Sequence, residues 1–228
     1  MSIKCINENP ELLRAWIEKE KKNDEIYLKN NKDSLIPLFE NELRELGFSF
    51  EITNQTLLLM PKYKKVVVPI AIKYYQLAKK TRNENEVNHF LSFFNYRGLE
   101  GVVPMLLDDY RSSQTPDLTK WFISSCLYSI RSNKLIAEYL EIISNADFGN
   151  NRKMIILLVG KLKVESATQH LIDLLEDEQV RLHAICALAD FKKEEFRCHF
   201  ERFQNSTHPG WRKYSRMALK KLNANKTN

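Results

Sequence analysis

The feature that most constrains this chain is that it resembles itself. The stretch Asp177 to Phe191 reads D-E-Q-V-R-L-H-A-I-C-A-L-A-D-F, and Val180, Ala184, Ala187, Leu188 and Phe191 recur at helical spacings. They share one apolar face, where the small Ala184 and Ala187 let a neighbouring helix come close. Moving back 29 positions places Met154, Ile155, Leu158, Val159 and Leu162 under His183, Ala184, Ala187, Leu188 and Phe191. Moving forward 31 positions places Ser215, Ala218, Leu219 and Leu222 under Ala184, Ala187, Leu188 and Phe191. Arg152 and Arg212 fall under Arg181 at the same shifts. The preceding segments repeat as well: Glu165–Leu175 superposes on Glu194–Gln204, and a shift of 32 lays Trp121–Asn145 on Lys153–Asp177 without a gap. Two helices per unit of about 30 residues predict an all-α fold, a right-handed α-solenoid of helical hairpins.

The pattern Leu174-Leu175-x-Asp177-x-x-Val180-Arg181-x-x-Ala184-x-x-Ala187-Leu188 resembles a HEAT-like repeat of the short bacterial kind, and Trp211 to Leu219 resembles a terminal copy. The match is good over 150–222, fair over 87–149 and poor before that. The resemblance implies an Asp closing the first helix and an Arg starting the second. It implies an architecture and is nearly silent on function.

The chain divides by pattern into an N-terminal cap over 1–61 and a repeat array over 62–228. In the cap, Asn9-Pro10-Glu11 and Asp33-Ser34 start helices, and Gly47 stops the second of them. After Gly47 the period changes. Phe48 to Thr53 alternates as a strand, Asn54-Gln55 turns, and Thr56 to Met60 answers it, which predicts a small β-hairpin. The hairpin is either a cap on the first repeat or a contact element. Within the array, paired helices are expected over 63–95, 98–131, 133–163, 165–191 and 194–222. Val67-Val68-Pro69 and Val102-Val103-Pro104, 35 positions apart, read as early-helix segments with the proline in the first turn.

Composition excludes more than it assigns. With 43% hydrophobic and 28% charged residues, the chain of 228 has material for a sizeable core. No apolar run approaches the roughly 20 residues that span a membrane. The N-terminus lacks the layout of a signal peptide, so a cytoplasmic location is expected. Cys5, Cys126, Cys186 and Cys198 show no C-x-x-C spacing and read as free thiols. His89, His170, His183, His199 and His208 show no metal-ligand spacing, so neither metal nor cofactor is expected. Phosphate-cradling and nucleophile-elbow motifs are missing from the sequence.

The formal charge of +6 is segregated. Residues 62–82 hold seven basic residues and no acid, 192–228 hold ten basic against three acidic, and 83–191 hold ten basic against fifteen acidic. A nucleic-acid backbone favours a continuous positive stripe, which this layout does not supply. Arg152, Arg181 and Arg212 form a ladder at the starts of second helices, either paired with acids such as Asp147 and Asp177 or binding anions of a partner. The helix Leu118–Arg131 is apolar nearly all round, hence buried or partner-binding, and Trp121 and Tyr128 are its candidate anchors.

The expected function is therefore non-catalytic binding of another protein with an acidic surface, on the concave surface offered by stacked second helices, as scaffold, adaptor or inhibitor, with an immunity-like role against a toxin as one version. Trp121 and Tyr128 would anchor the partner, and Arg152, Arg181, Arg212 and Arg216 would meet its acidic groups. The competing reading is a DNA-binding protein similar to the HEAT-like alkylpurine DNA glycosylases, with Asp117 and Trp121 near the DNA. A likeness to the HEAT-like iron enzyme deoxyhypusine hydroxylase fails, because the chain has no His-Glu dipeptide.

Overall fold

The computed structural model describes residues 34–48 and 63–225. Among these it is all-helical, with eleven α-helices and no strand. The expected hairpin, the 61/62 boundary, the Asn9-Pro10-Glu11 helix start and Cys5 lie outside the described residues. The chain forms two compact units, one ending at Val87 and one beginning at Asn88.

In the first unit, α1 (Leu35–Glu45) packs on α2 (Lys64–Thr81) through Phe39, which meets Tyr74 edge-on with centroids 5.6 Å apart. Ser34 is the N-cap of α1, its hydroxyl accepting from the Ile36 N–H, and Gly47 follows the helix at φ +87°, which favours glycine. A second acceptor comes from far along the chain. The buried Glu86 carboxylate takes hydrogen bonds from the Ser34 hydroxyl and the Leu35 N–H, both at 2.6 Å. Glu86 lies in α3 (Glu84–Leu91), where Asn83 caps its backbone N–H. Helix α2 begins at Lys64, so Pro69 sits in its second turn and not its first as the sequence reading placed it. The ring is exposed, and only the carbonyl four residues back loses its donor.

In the second unit the helices come in pairs: α4 (Val103–Arg111) with α5 (Asp117–Ile130), α6 (Ile136–Ser144) with α7 (Lys153–Lys161), α8 (Thr168–Asp173) with α9 (Arg181–Phe191), and α10 (Arg197–Phe203) with α11 (Pro209–Asn225). Pro104 stands in the first turn of α4, as expected. Each second helix packs on the next, α5 on α7, α7 on α9 and α9 on α11, and α6 packs on α8 among the first helices. The middle helices are thus flanked on two sides. In α9 this buries Ala184, Ala187, Leu188 and Phe191 together with Ile185 and Ala189. Each large aliphatic side chain so enclosed contributes about 1.5–3 kcal/mol.

Helices α7 and α9 approach closely. A Cβ on Gly160 would lie 2.5 Å from the Ala187 Cα and 2.6 Å from its Cβ, so only glycine admits this crossing. Second helices end without glycine: Arg131, Lys163 and Lys192 take the left-handed conformation at φ 56°, 52° and 57°. They are repeat-equivalent, and their positive charge suits the negative end of the helix dipole.

Candidate functional site

The arginine ladder forms, and it is turned inward. Arg152 donates from Nε to the Gly149 carbonyl and from one terminal nitrogen to the Ile143 carbonyl, both at 3.1 Å, and from the other to Asp177 Oδ2 at 2.5 Å. Arg181 donates to the Leu175 carbonyl at 2.6 Å and the Glu176 carbonyl at 3.1 Å, with Glu178 at 3.4 Å. Arg212 donates to the Ser206 and Thr207 carbonyls at 2.7 and 3.3 Å. One turn on, Arg216 reaches the Gln204 carbonyl at 2.8 Å and Asn205 Oδ1 at 3.3 Å. Each of these arginines reaches back over the turn of its own pair. Apart from Ile143, inside α6, the carbonyls it serves lie just beyond the first helix, in the turn that leads to the second. Arg152 and Arg181 are only 2% and 8% exposed, so the ladder offers no open row of guanidinium groups.

Contacts between pairs differ along the ladder. Arg152 reaches the next pair through Asp177, whose other oxygen accepts the Gln179 N–H at 2.9 Å. Asp147 takes no part: its backbone N–H donates to Asn145. In the last pair the position of Asp177 is held by His208. That imidazole stacks on Trp211 with centroids 4.3 Å apart, and the Arg181 guanidinium lies over the same indole at 4.2 Å. A cation-π contact there stands in for an ion pair.

Of the two aromatic anchors, Trp121 is 48% exposed and meets Phe122 edge-on, beside Leu118 at 56%. Tyr128 is half-buried, with the Arg131 guanidinium 5.6 Å from its ring. The opposite side of α5 buries Ile123, Ser124, Cys126, Leu127 and Ile130. Burial pushes the Cys126 thiol up to about 12, and it donates to the Leu91 carbonyl. Asp117, one turn before Trp121, is exposed and accepts from the Asn151 amide at 2.8 Å. Among the described residues no three His, Cys, Asp or Glu side chains converge as a metal site would require, and no helix is long and apolar enough to cross a membrane.

The stacked second helices, expected as the binding surface, present a row of residues that the sequence analysis did not name. At four repeat-equivalent positions, side chains of the second helices remain at least partly open to solvent. They are Trp121, Phe122, Ser125 and Ser129 in α5, and Lys153, Met154, Leu157 and Lys161 in α7. Leu182, His183, Cys186 and Asp190 follow in α9, then Lys213, Tyr214, Met217 and Lys221 in α11. Their shared side is evident electrostatically. Lys161 Nζ lies 3.9 Å from Asp190 Oδ2 across α7 and α9. Burial first, then the charge of Lys153, holds His183 down to about 4. Burial pushes the Cys186 thiol up to about 11, with Asp190 raising and Lys221 lowering it. The sequence signal was present in the 29- and 31-residue shifts, which align Leu157, Cys186 and Met217, and Lys161, Asp190 and Lys221. Periodicity alone treats such half-buried positions as the edge of a core.

Comparison with family models, with curated proteins and with solved structures gave no match.

Proposed function

We propose that this chain is a non-catalytic protein-binding scaffold or adaptor, built as a right-handed α-solenoid of HEAT-like helical hairpins, and that the side shared by α5, α7, α9 and α11 receives the partner. The observation that carries the reading is that half-open row of repeat-equivalent side chains, with Trp121 exposed at one end. Held on packed helices, it presents apolar area with little left to order on binding. Trp121 is the anchor, a residue type enriched where binding energy concentrates. Arg152, Arg181, Arg212 and Arg216 hold the pairs together and position the row.

The nucleic-acid reading has one observation on its side: exposed Lys213, Arg216, Lys220 and Lys221 on a helix that holds no acid. It lacks a continuous cationic track, because Arg152 and Arg181 are spent on carbonyls and Asp190 interrupts the row.

A photo-crosslinking amino acid placed at Leu157 on the row, and separately at Gln169 on a first helix, tests the proposal in cells. A discrete protein adduct from position 157, weakened by Trp121→Ala and missing from position 169, is expected. Equal adducts from both positions, or salt-sensitive binding of duplex DNA by the purified chain with no protein adduct, would overturn it.

A further inference from the structure

We infer that the segment received on this row is an amphipathic helix whose apolar residues recur about every seven positions between two acidic flanks. The inference rests on the protein-binding reading above and names the chemistry of the partner. Lys153 and Lys161 stand at the two ends of the open side of α7, and Lys213 and Lys221 hold the same positions in α11, each 60 residues on. Eight residues of α-helix separate the lysines of each pair, a span of about 12 Å, and a helix with its side chains is about 10–12 Å across. Two rails of ammonium groups thus bracket a strip one helix wide.

The floor of that strip is apolar and steps once per helix, through Leu157, Cys186 and Met217. Packed helices lie about 8–10 Å apart. Seven residues of a helix, two turns, advance about 10.5 Å, so heptad-spaced apolar side chains keep step with the row when the helix crosses it obliquely. With its thiol pushed up to about 11, Cys186 stays uncharged at neutral pH and belongs to the apolar floor. At the α9 crossing Asp190 offsets Lys161, so the Lys153–Lys213 rail carries more of the net positive charge than the Lys161–Lys221 rail. A bare polyphosphate would satisfy the lysines and leave the Leu157 to Met217 floor wet. An acidic amphipathic helix satisfies both.

Selection of a random 18-residue peptide-display library on the full chain tests this. The expected winners combine Asp or Glu flanks with apolar residues seven apart. A synthesised winner should bind wild type and weaken by about tenfold or more with the charge reversals Lys153→Glu and Lys213→Glu combined, while the melting temperature holds. A second variant, Leu157→Gln, leaves the charge unchanged and should abolish binding through the floor rather than the rails. Winners that are neutral or basic, affinity indifferent to both variants, or no enrichment over the naive library would overturn the acidic-helix inference. The Leu157 crosslinking result decides the broader protein-binding reading on its own, so the two failures are distinguishable.

Discussion

Arg152 and Asp177 join consecutive helical pairs through a 2.5 Å ion pair in which the guanidinium is almost wholly buried and the carboxylate keeps about a third of its surface in water. The arginine is also tied to two carbonyls, so the charge entered the interior with its hydrogen bonds made. Removing the acid leaves a buried cation still bonded to the backbone. Removing the arginine strands the Ile143 and Gly149 carbonyls and opens a void. Asp177→Asn is therefore expected to lower stability by about 1–2 kcal/mol, and Arg152→Ala by about 3 kcal/mol or more. Urea denaturation of both variants checks the order, and equal effects would mean the ion pair, not the capping, dominates.

Gly160 gives the sharpest packing prediction. Gly160→Ala must push α7 from α9, because the obstructing atoms are the Cα, Cβ and carbonyl oxygen of Ala187 and none can rotate away. A loss of about 2–3 kcal/mol is expected, at the upper end for overpacking. Gly101→Ala is the control: its Cβ would meet nothing within 4 Å. It should be neutral or slightly stabilising by the lost freedom of the unfolded chain. Comparable melting temperatures for the two variants would show that the crossing relaxes.

What was legible in the sequence was local. Ser34 and Gly47 declared the ends of α1, and the alanines at 184 and 187 declared a close helix neighbour. The spacing of Trp121 and Tyr128 put them on one side of α5, but spacing does not say how far each ring is covered. Glu86 was invisible, since its task at the start of α1 is set by packing between segments some fifty residues apart. The guanidinium ladder was readable as a periodicity, whereas its inward direction depends on how the turn between the two helices aims its carbonyls. The row of Leu157, Cys186 and Met217 went unread for a related reason: a half-buried apolar position looks the same in sequence as a core one.

The left-handed caps predict an easy gain. Lys163 and Lys192 each hold a positive φ that costs a residue with a Cβ about 1 kcal/mol or more, and glycine takes it freely. The lysine charge at the helix end returns a few tenths of that. Lys192→Gly and Lys163→Gly should each raise stability by about 0.5–1 kcal/mol, with nearly additive effects in the double variant. Thermal melts at matched ionic strength suffice. A loss in either variant would place the benefit of the lysine charge above the backbone strain.

His183 makes the fold sensitive to acid. Its side chain is half-buried in α9, its Nδ1 is enclosed without a hydrogen-bond partner, and desolvation followed by the Lys153 charge holds it down to about 4. The folded value lies below the ordinary 6.5, so the unfolded chain binds this proton more tightly. The contribution to stability is therefore complete above pH 6.5 and drains away as pH falls toward 4. The full shift corresponds to roughly 3 kcal/mol, and partial contact with water reduces the expected loss to about 1 kcal/mol. His183→Gln removes the titrating group. The difference in urea midpoint between wild type and this variant should be flat from pH 8 to about 6.5 and then move in favour of the variant. A difference that stays constant to pH 4 would mean that His183 is hydrated in the folded chain and titrates as it does when unfolded.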